Sequence, residues 1–173
     1  MQDQPHEFYM ELALSEACRA ADDGEVPVGA IVVCQGRVIG RAFNQVERLK
    51  DPTAHAEMIA ITQATAALGD WRMENTTLYV TKEPCPMCAG AIVLARIPIV
   101  VYGVSDPQRG GALSVFPILN HPAPNHHPTV ITGVSEAACR DILQSFFRKR
   151  RTNAANSCCK ETKRLEPDAC RAD

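Results

Sequence analysis

The chain lacks any stretch near the roughly 18 consecutive apolar residues that a bilayer-crossing helix needs, so no membrane partner is expected among its 173 residues. Met1 to Glu11 lack the basic start and apolar centre of a secretory signal. No internal repeat is visible, and a net charge of −2 does not advertise a polyanionic partner. The 8 cysteines are irregularly spaced and do not form the ladder of a small secreted disulfide scaffold. A reducing cytoplasm is therefore the expected location. What is left is an ordinary domain, 46% hydrophobic and 22% charged, long enough to bury a full core.

Charge is unevenly distributed. Residues 148–173 hold 8 of the 18 basic side chains and only 4 of the 20 acidic ones, beginning with Arg148-Lys149-Arg150-Arg151. Such a run either touches phosphates or is a solvated helix end that suits the helix dipole.

Two short motifs carry the chemistry. His55-Ala56-Glu57 is followed 27 residues later by Pro84-Cys85-Pro86-Met87-Cys88. One His and two Cys give a zinc ion three protein bonds and leave a fourth position open, which is the catalytic arrangement. In that open position a water becomes acidic enough to react near neutral pH. Glu57 is left over as a carboxylate able to move its protons. Side chains step by about 100° along a helix, so His55 and Glu57 can converge only where a helix points its N-terminal end at the metal. Asp51-Pro52-Thr53 offers capping residues for that helix, and Pro86 suits the first turn of a second one. A lone C-x-x-C also fits a redox pair, and a structural zinc site would need a fourth ligand. Cys18, Cys34 and Cys139 stand singly in apolar stretches and read as small buried hydrophobes.

Periodicity predicts a helix over 7–21 with Phe8, Leu12, Ala13, Ala17 and Ala20 on its buried side, and strands at 28–33 and 37–44 joined by a Gln35-Gly36 turn. It continues with helix 54–68, strand 76–81, helix 85–95, strand 99–102, a loop 105–128 with one helical turn around 112–119, strand 129–131, and helix 136–150 capped by Ser135. The fold class is α/β: a three-layer α/β/α sandwich around a five-stranded mixed sheet. Residues 1–151 form the domain, and 152–173, without periodicity, are expected to be a disordered tail whose Cys158, Cys159 and Cys170 are exposed thiols.

The motifs closely resemble those of the tRNA-specific adenosine deaminases of the cytidine deaminase-like superfamily. The likeness runs from about residue 8 to 151. It includes Val26-Pro27-Val28-Gly29-Ala30, Phe43-Asn44, Asp51 to Glu57, Thr77 to Thr81, Pro84 to Ala91, Val101-Tyr102-Gly103, Asp106 and Phe146-Phe147-Arg148. The resemblance implies hydrolytic deamination of adenosine to inosine at the wobble position of a tRNA anticodon. It implies one Zn2+ per subunit on His55, Cys85 and Cys88, with Glu57 as catalytic proton shuttle and the Cys85 amide helping to hold the attacking water. Asn44 and Val28 would bind the flipped base, and a homodimer would grip the anticodon loop near the subunit boundary.

Three positions depart from the family pattern. Lys82 stands where an apolar residue is usual, sharing a strand face with Leu78 and Val80, so it either snorkels or alters the packing. Leu113 stands where glycine is common. Gln45-Val46-Glu47 is unusual after Asn44, and Glu47 would repel phosphates. Two alternative functions stay open: a free nucleobase or nucleoside deaminase of guanine or cytosine type, and a non-catalytic zinc-containing subunit. Glu57 argues against the latter, since a structural site needs no proton shuttle.

Overall fold

The computed structural model describes residues 4–162, with side chains to Thr152. In chain order the elements are α1 (His6–Asp22), β1 (Gly29–Cys34), β2 (Arg37–Phe43), α2 (Val46–Leu49), α3 (Ala56–Leu68), β3 (Thr76–Lys82), α4 (Pro86–Leu94), β4 (Ile99–Val104), β5 (Thr129–Thr132) and α5 (Glu136–Thr162), with a 3-10 turn at Ile118–Asn120. Val and Ile make up half or more of β1 and β4, and β-branched Thr and Val with Tyr79 dominate β3, which favours extended backbone. All three strands are largely buried on both faces. They form the middle of one five-stranded sheet, ordered β2-β1-β3-β4-β5. β1 runs antiparallel to both β2 and β3, whereas β3, β4 and β5 are parallel. Gln35 and Gly36 turn the β1–β2 hairpin with φ of 49° and 76°, as a two-residue turn between twisted strands requires.

Side-chain alternation splits the core in two. Ala30, Val32, Leu78, Val80, Val100 and Tyr102 meet the alanine-rich inner faces of α3 and α4. Ile31, Val33, Tyr79 and Val101 meet Tyr9, Met10 and Ala13 of α1 and Cys139 of α5. The result is the expected three-layer sandwich. Small residues set its spacing: a Cβ on Gly40 would lie 2.3 Å from the Ala60 carbonyl oxygen, so only glycine lets α3 sit this close to β2.

Several local expectations are corrected. On α1 the buried face carries Tyr9, Met10 and Glu16 beside the alanines. Phe8 is exposed, its ring edge-on to Tyr9 at 5.3 Å. Cys18 is exposed and Cys34 half-buried, so only Cys139 of the three is a buried hydrophobe. Helix α2 had no sequence signal, being four residues long. In the 105–128 loop the helical turn falls at 118–120, later than expected. Ser135 has φ of 52°, outside the extended region a capping residue adopts, although its carbonyl accepts the Cys139 N–H. The last helix continues past 150 to Thr162, because no proline or glycine interrupts 136–162. The expected tail thus begins as helix. Residues 163–173, with Cys170, and the side chains of Cys158 and Cys159 lie outside what is described. Among the described residues no helix is long and apolar enough to cross a membrane.

Candidate metal centre and pocket

His55 and Cys85 are both N-cap residues with extended backbone, φ −72° and ψ 153° for His55, φ −72° and ψ 171° for Cys85. His55 therefore stands outside α3, and the helical angle between positions 55 and 57 no longer limits it. Asp51 and Thr53 do not cap α3. Instead the Asp51 carboxylate accepts the Thr53 N–H at 2.8 Å and the Thr53 hydroxyl at 2.7 Å, forming a turn just upstream. Gln45 N–H donates to the Ala54 carbonyl at 2.9 Å and ties this turn to the end of β2. Pro86 occupies the first turn of α4, where its missing N–H costs nothing.

Three ligand atoms converge. Cys85 Sγ lies 3.6 Å from His55 Nδ1 and 3.7 Å from Cys88 Sγ, and Cys88 Sγ lies 3.5 Å from His55 Nδ1. Among the described residues this is the one group of three or more His, Cys, Asp or Glu placed to hold a metal ion. The nearly equilateral triangle opens towards a pocket of about 270 Å³. Electrostatics favour an anionic sulfur. The hydrogen bond with the Cys88 thiol lowers the Cys85 pKa to about 4 against the cost of burial, with His55 adding to the effect. The His55 pKa is raised by its hydrogen bond with Cys85, against burial. Glu57, on the first turn of α3, is 4% exposed, and burial pushes its carboxyl pKa up.

Asn44 and Val28 both line the pocket beside His55, Glu57 and Cys85. They are adjacent through the Asn44 N–H, which donates to the Val28 carbonyl at 3.0 Å. Sequence reasoning did not anticipate Val26, Val46, Glu83 and Arg109 on the same walls. Lys82 also lines the pocket. Its side chain is 31% exposed, so it reaches solvent at the pocket rim, as snorkelling requires, and there it forms an ion pair with Asp106.

Glu83 had a usable signal, a carboxylate directly after β3 and two residues before Cys85. It is 3% exposed and accepts N–H bonds from Asp106 at 2.8 Å and from Leu113 and Ser114 at 2.9 Å, as well as the Ser114 hydroxyl. Burial works to raise its pKa, but these bonds outweigh it and hold the carboxyl below the ordinary value. The loop after β4 is thereby clamped over the centre, and Gly111 N–H donates to the Pro84 carbonyl at 2.7 Å. A Cβ at Gly111 would lie 2.4 Å from the Cys85 carbonyl carbon, so the loop rests directly on the Cys85 backbone. Leu113 keeps φ outside the left-handed region, and its side chain is accommodated at the surface.

The MafB19-like deaminase family matches residues 4–151. A tRNA-specific adenosine deaminase of Bacillus subtilis (strain 168) is 48% identical over 84% of this chain and 90% of that protein. A solved structure from work on A-to-I editing by tRNA:A34 deaminases at the wobble position of transfer RNA is 46% identical, with a TM-score of 0.76 over 79% of this chain and 99% of the other. A guanine deaminase from Bacillus subtilis is 32% identical, with a TM-score of 0.58 over 73% of this chain and 83% of the other. With a shared fold and an identity close to one half over nearly the whole of its relatives, the chain belongs to the family of tRNA-specific adenosine deaminases.

Proposed function

We propose that this protein is a zinc-dependent hydrolase that converts adenosine to inosine at the wobble position of a tRNA anticodon. The observation that carries the reading is the His55–Cys85–Cys88 triangle beside a buried glutamate. Zn–S bonds of about 2.3 Å and a Zn–N bond of about 2.0–2.1 Å at tetrahedral angles require S···S near 3.8 Å and S···N near 3.6 Å. The distances of 3.7, 3.6 and 3.5 Å fit that requirement. Two sulfurs and one imidazole suit zinc better than magnesium or calcium, which prefer oxygen.

Zinc bound there supplies the Lewis acidity that makes water nucleophilic near neutral pH. The protein's own residues do the rest. Water adds its oxygen at the purine C6, the C6–N6 bond breaks, and ammonia leaves. Glu57 takes a proton from the incoming water and delivers it to the departing nitrogen, and a carboxyl pushed upward by burial suits both directions. Asn44 and Val28 hold the base, in a pocket of about 270 Å³, just below the usual ligand range of about 300–1,000 Å³. Such a volume admits one flipped heterocycle with its chain left outside.

The homodimer implied by the resemblance has a suitable face in the apolar groove of Phe116, Pro117, Ile118, Ala123 and Pro124. Leu94, 74% exposed, belongs to α4, which packs against the 3-10 turn of that groove. The test is inosine formation in an anticodon stem-loop, compared with free adenosine, guanine and cytidine, with metal analysis of the same sample. Turnover of guanine alone would favour the free-base reading that the guanine deaminase likeness supports, and zinc without any turnover the non-catalytic one.

A further inference from the structure

We infer that Glu25 is a positioning residue for base recognition, acting through Asn44. The inference rests on reading the pocket as a nucleobase site. Glu25 lies between α1 and β1 with 1% of its surface exposed, and its N–H donates to the Ala20 carbonyl at 2.9 Å. Among the described residues no Lys, Arg or His pairs with it. A carboxylate buried without a cation is costly unless hydrogen bonds satisfy it. Three donors do so: the Asn44 side-chain Nδ2 at 3.1 Å, the Glu47 N–H at 3.3 Å and the Arg48 N–H at 2.7 Å.

The consequence is geometric. A carboxylate only accepts, so it can face the Nδ2 side of an amide and not the oxygen side. Glu25 thereby fixes which way the Asn44 amide lies. Asn44 is itself 7% exposed and lines the pocket with His55 and Glu57. Its Oδ1 is turned away from Glu25 and offered as an acceptor, with the remaining Nδ2 hydrogen as a donor. Nucleobases differ in the order of donors and acceptors along their edges, so an amide locked in one orientation discriminates where a flipping amide does not. The same carboxylate holds the first N–H groups of α2 and so places Val46 on the pocket wall. One buried group thus sets a polar reader and an apolar surface together.

Glu25→Gln keeps size and still offers an acceptor to the Arg48 N–H, but its amide can donate as well as accept, which removes the preference at Asn44. A double-mutant cycle over Glu25→Gln, Asn44→Ala and their combination tests the inference. It is run on whichever of the anticodon stem-loop, adenosine, guanine or cytidine the wild type turns over. The choice of substrate judges the functional reading, and the coupling judges the role of Glu25. We expect Glu25→Gln to lower kcat/KM by about 10- to 100-fold, the worth of one charge-assisted hydrogen bond. The loss falls mainly on KM. Metal content stays unchanged, and the substitution has no further effect in the Asn44→Ala background. Independent, multiplying losses in the two variants would overturn the inference, as would an unchanged kcat/KM. If Glu25→Gln does not fold, side-chain amide exchange decides in the wild-type protein. The Asn44 NH2 signal, identified by its absence from Asn44→Ala, is expected to exchange slowly, and free exchange would overturn the inference.

Discussion

Lys82 and Asp106 form an ion pair at the rim of the pocket, joining the last residue of β3 to the loop that follows β4. Lys82 stands opposite Val104 in the parallel ladder, so Asp106 begins two residues beyond its partner strand position. The Asp106 carboxylate also accepts the Gln108 N–H at 3.0 Å and the Arg109 N–H at 3.2 Å, while its own N–H donates to Glu83. A lysine at a position expected to be apolar is thus absorbed by an acid already folded into the clamp.

From this pair follows a pH-dependent stability difference. Burial works to raise the Asp106 pKa, but the Lys82 ammonium and the two N–H donors outweigh it and hold the carboxyl below its ordinary value. A depressed carboxyl contributes stability above its unfolded pKa, about 3.9 for Asp, and loses it as pH falls through the folded pKa. Lys82→Leu should therefore melt below wild type at neutral pH, by less than about 1 kcal/mol in stability because the pair is partly solvated. The difference should vanish in acid below the folded pKa of Asp106. Melting curves of both proteins from neutral to acid pH check this, and a gap that widens in acid would rule out the assigned sign.

Glu57→Gln should abolish deamination while the metal stays bound. The amide keeps the shape of a side chain that is 4% exposed, but it cannot accept and return a proton. General acid–base groups contribute about 10²–10⁴-fold in rate, and the upper end is expected because one group serves both the attack and the departure of ammonia. Single-turnover rates with parallel metal analysis give the answer. Near-normal turnover with full metal would remove Glu57 from the chemistry.

The metal motif was legible because short spacings encode it. Cys85 and Cys88 share one helical turn, and Pro86 marks where that helix begins. The sheet was legible because β1 and β4 read as apolar, β-branched runs and β3 as a Thr, Tyr and Val stretch that suits extended backbone. Contacts between distant residues were not. Glu25 meets Asn44 across 19 residues and Lys82 meets Asp106 across 24, and neither pairing leaves a periodic trace. Helix α2 escaped notice for the same reason, since its four residues are held by Glu25 and carry no pattern of their own. The end of α5 is less legible because loss of amphipathic pattern does not by itself end a helix, and 136–162 hold no proline or glycine to break it.

Cys88→Ala should cost both metal and activity, since His55 and Cys85 alone leave an ion two protein bonds. Cys88 is fully buried, so the loss would be accompanied by a small cavity. Cys18→Ser, exposed on α1, and Cys158→Ser, Cys159→Ser and Cys170→Ser should all keep the metal. Elemental analysis of the purified variants separates the two groups. Metal lost from any of these serine variants would overturn the ligand set.

The basic run on α5 divides into side chains with different jobs. Arg148 and Arg151 line a groove with Phe147 and with Gln108, the neighbour of the pocket residue Arg109. Arg150 instead lies over the Phe146 ring at 5.6 Å. Phosphates of a strand whose base enters the pocket would therefore pass Arg109 towards Arg148 and Arg151, with exposed Phe147 offering a ring for stacking. Each phosphate contact in a single strand contributes about 0.7 to the slope of log affinity against log salt. Replacing Arg148 and Arg151 by Ala should reduce the slope for an anticodon stem-loop by about 1.4, two such contacts, and weaken binding most at low salt. Arg150→Ala should leave the slope nearly unchanged and instead loosen the packing over Phe146, seen as a lower melting temperature. Binding measured across a salt series distinguishes these cases. An unchanged slope in the double variant would make the run a solvated helix end and leave RNA affinity to the pocket cations Lys82 and Arg109.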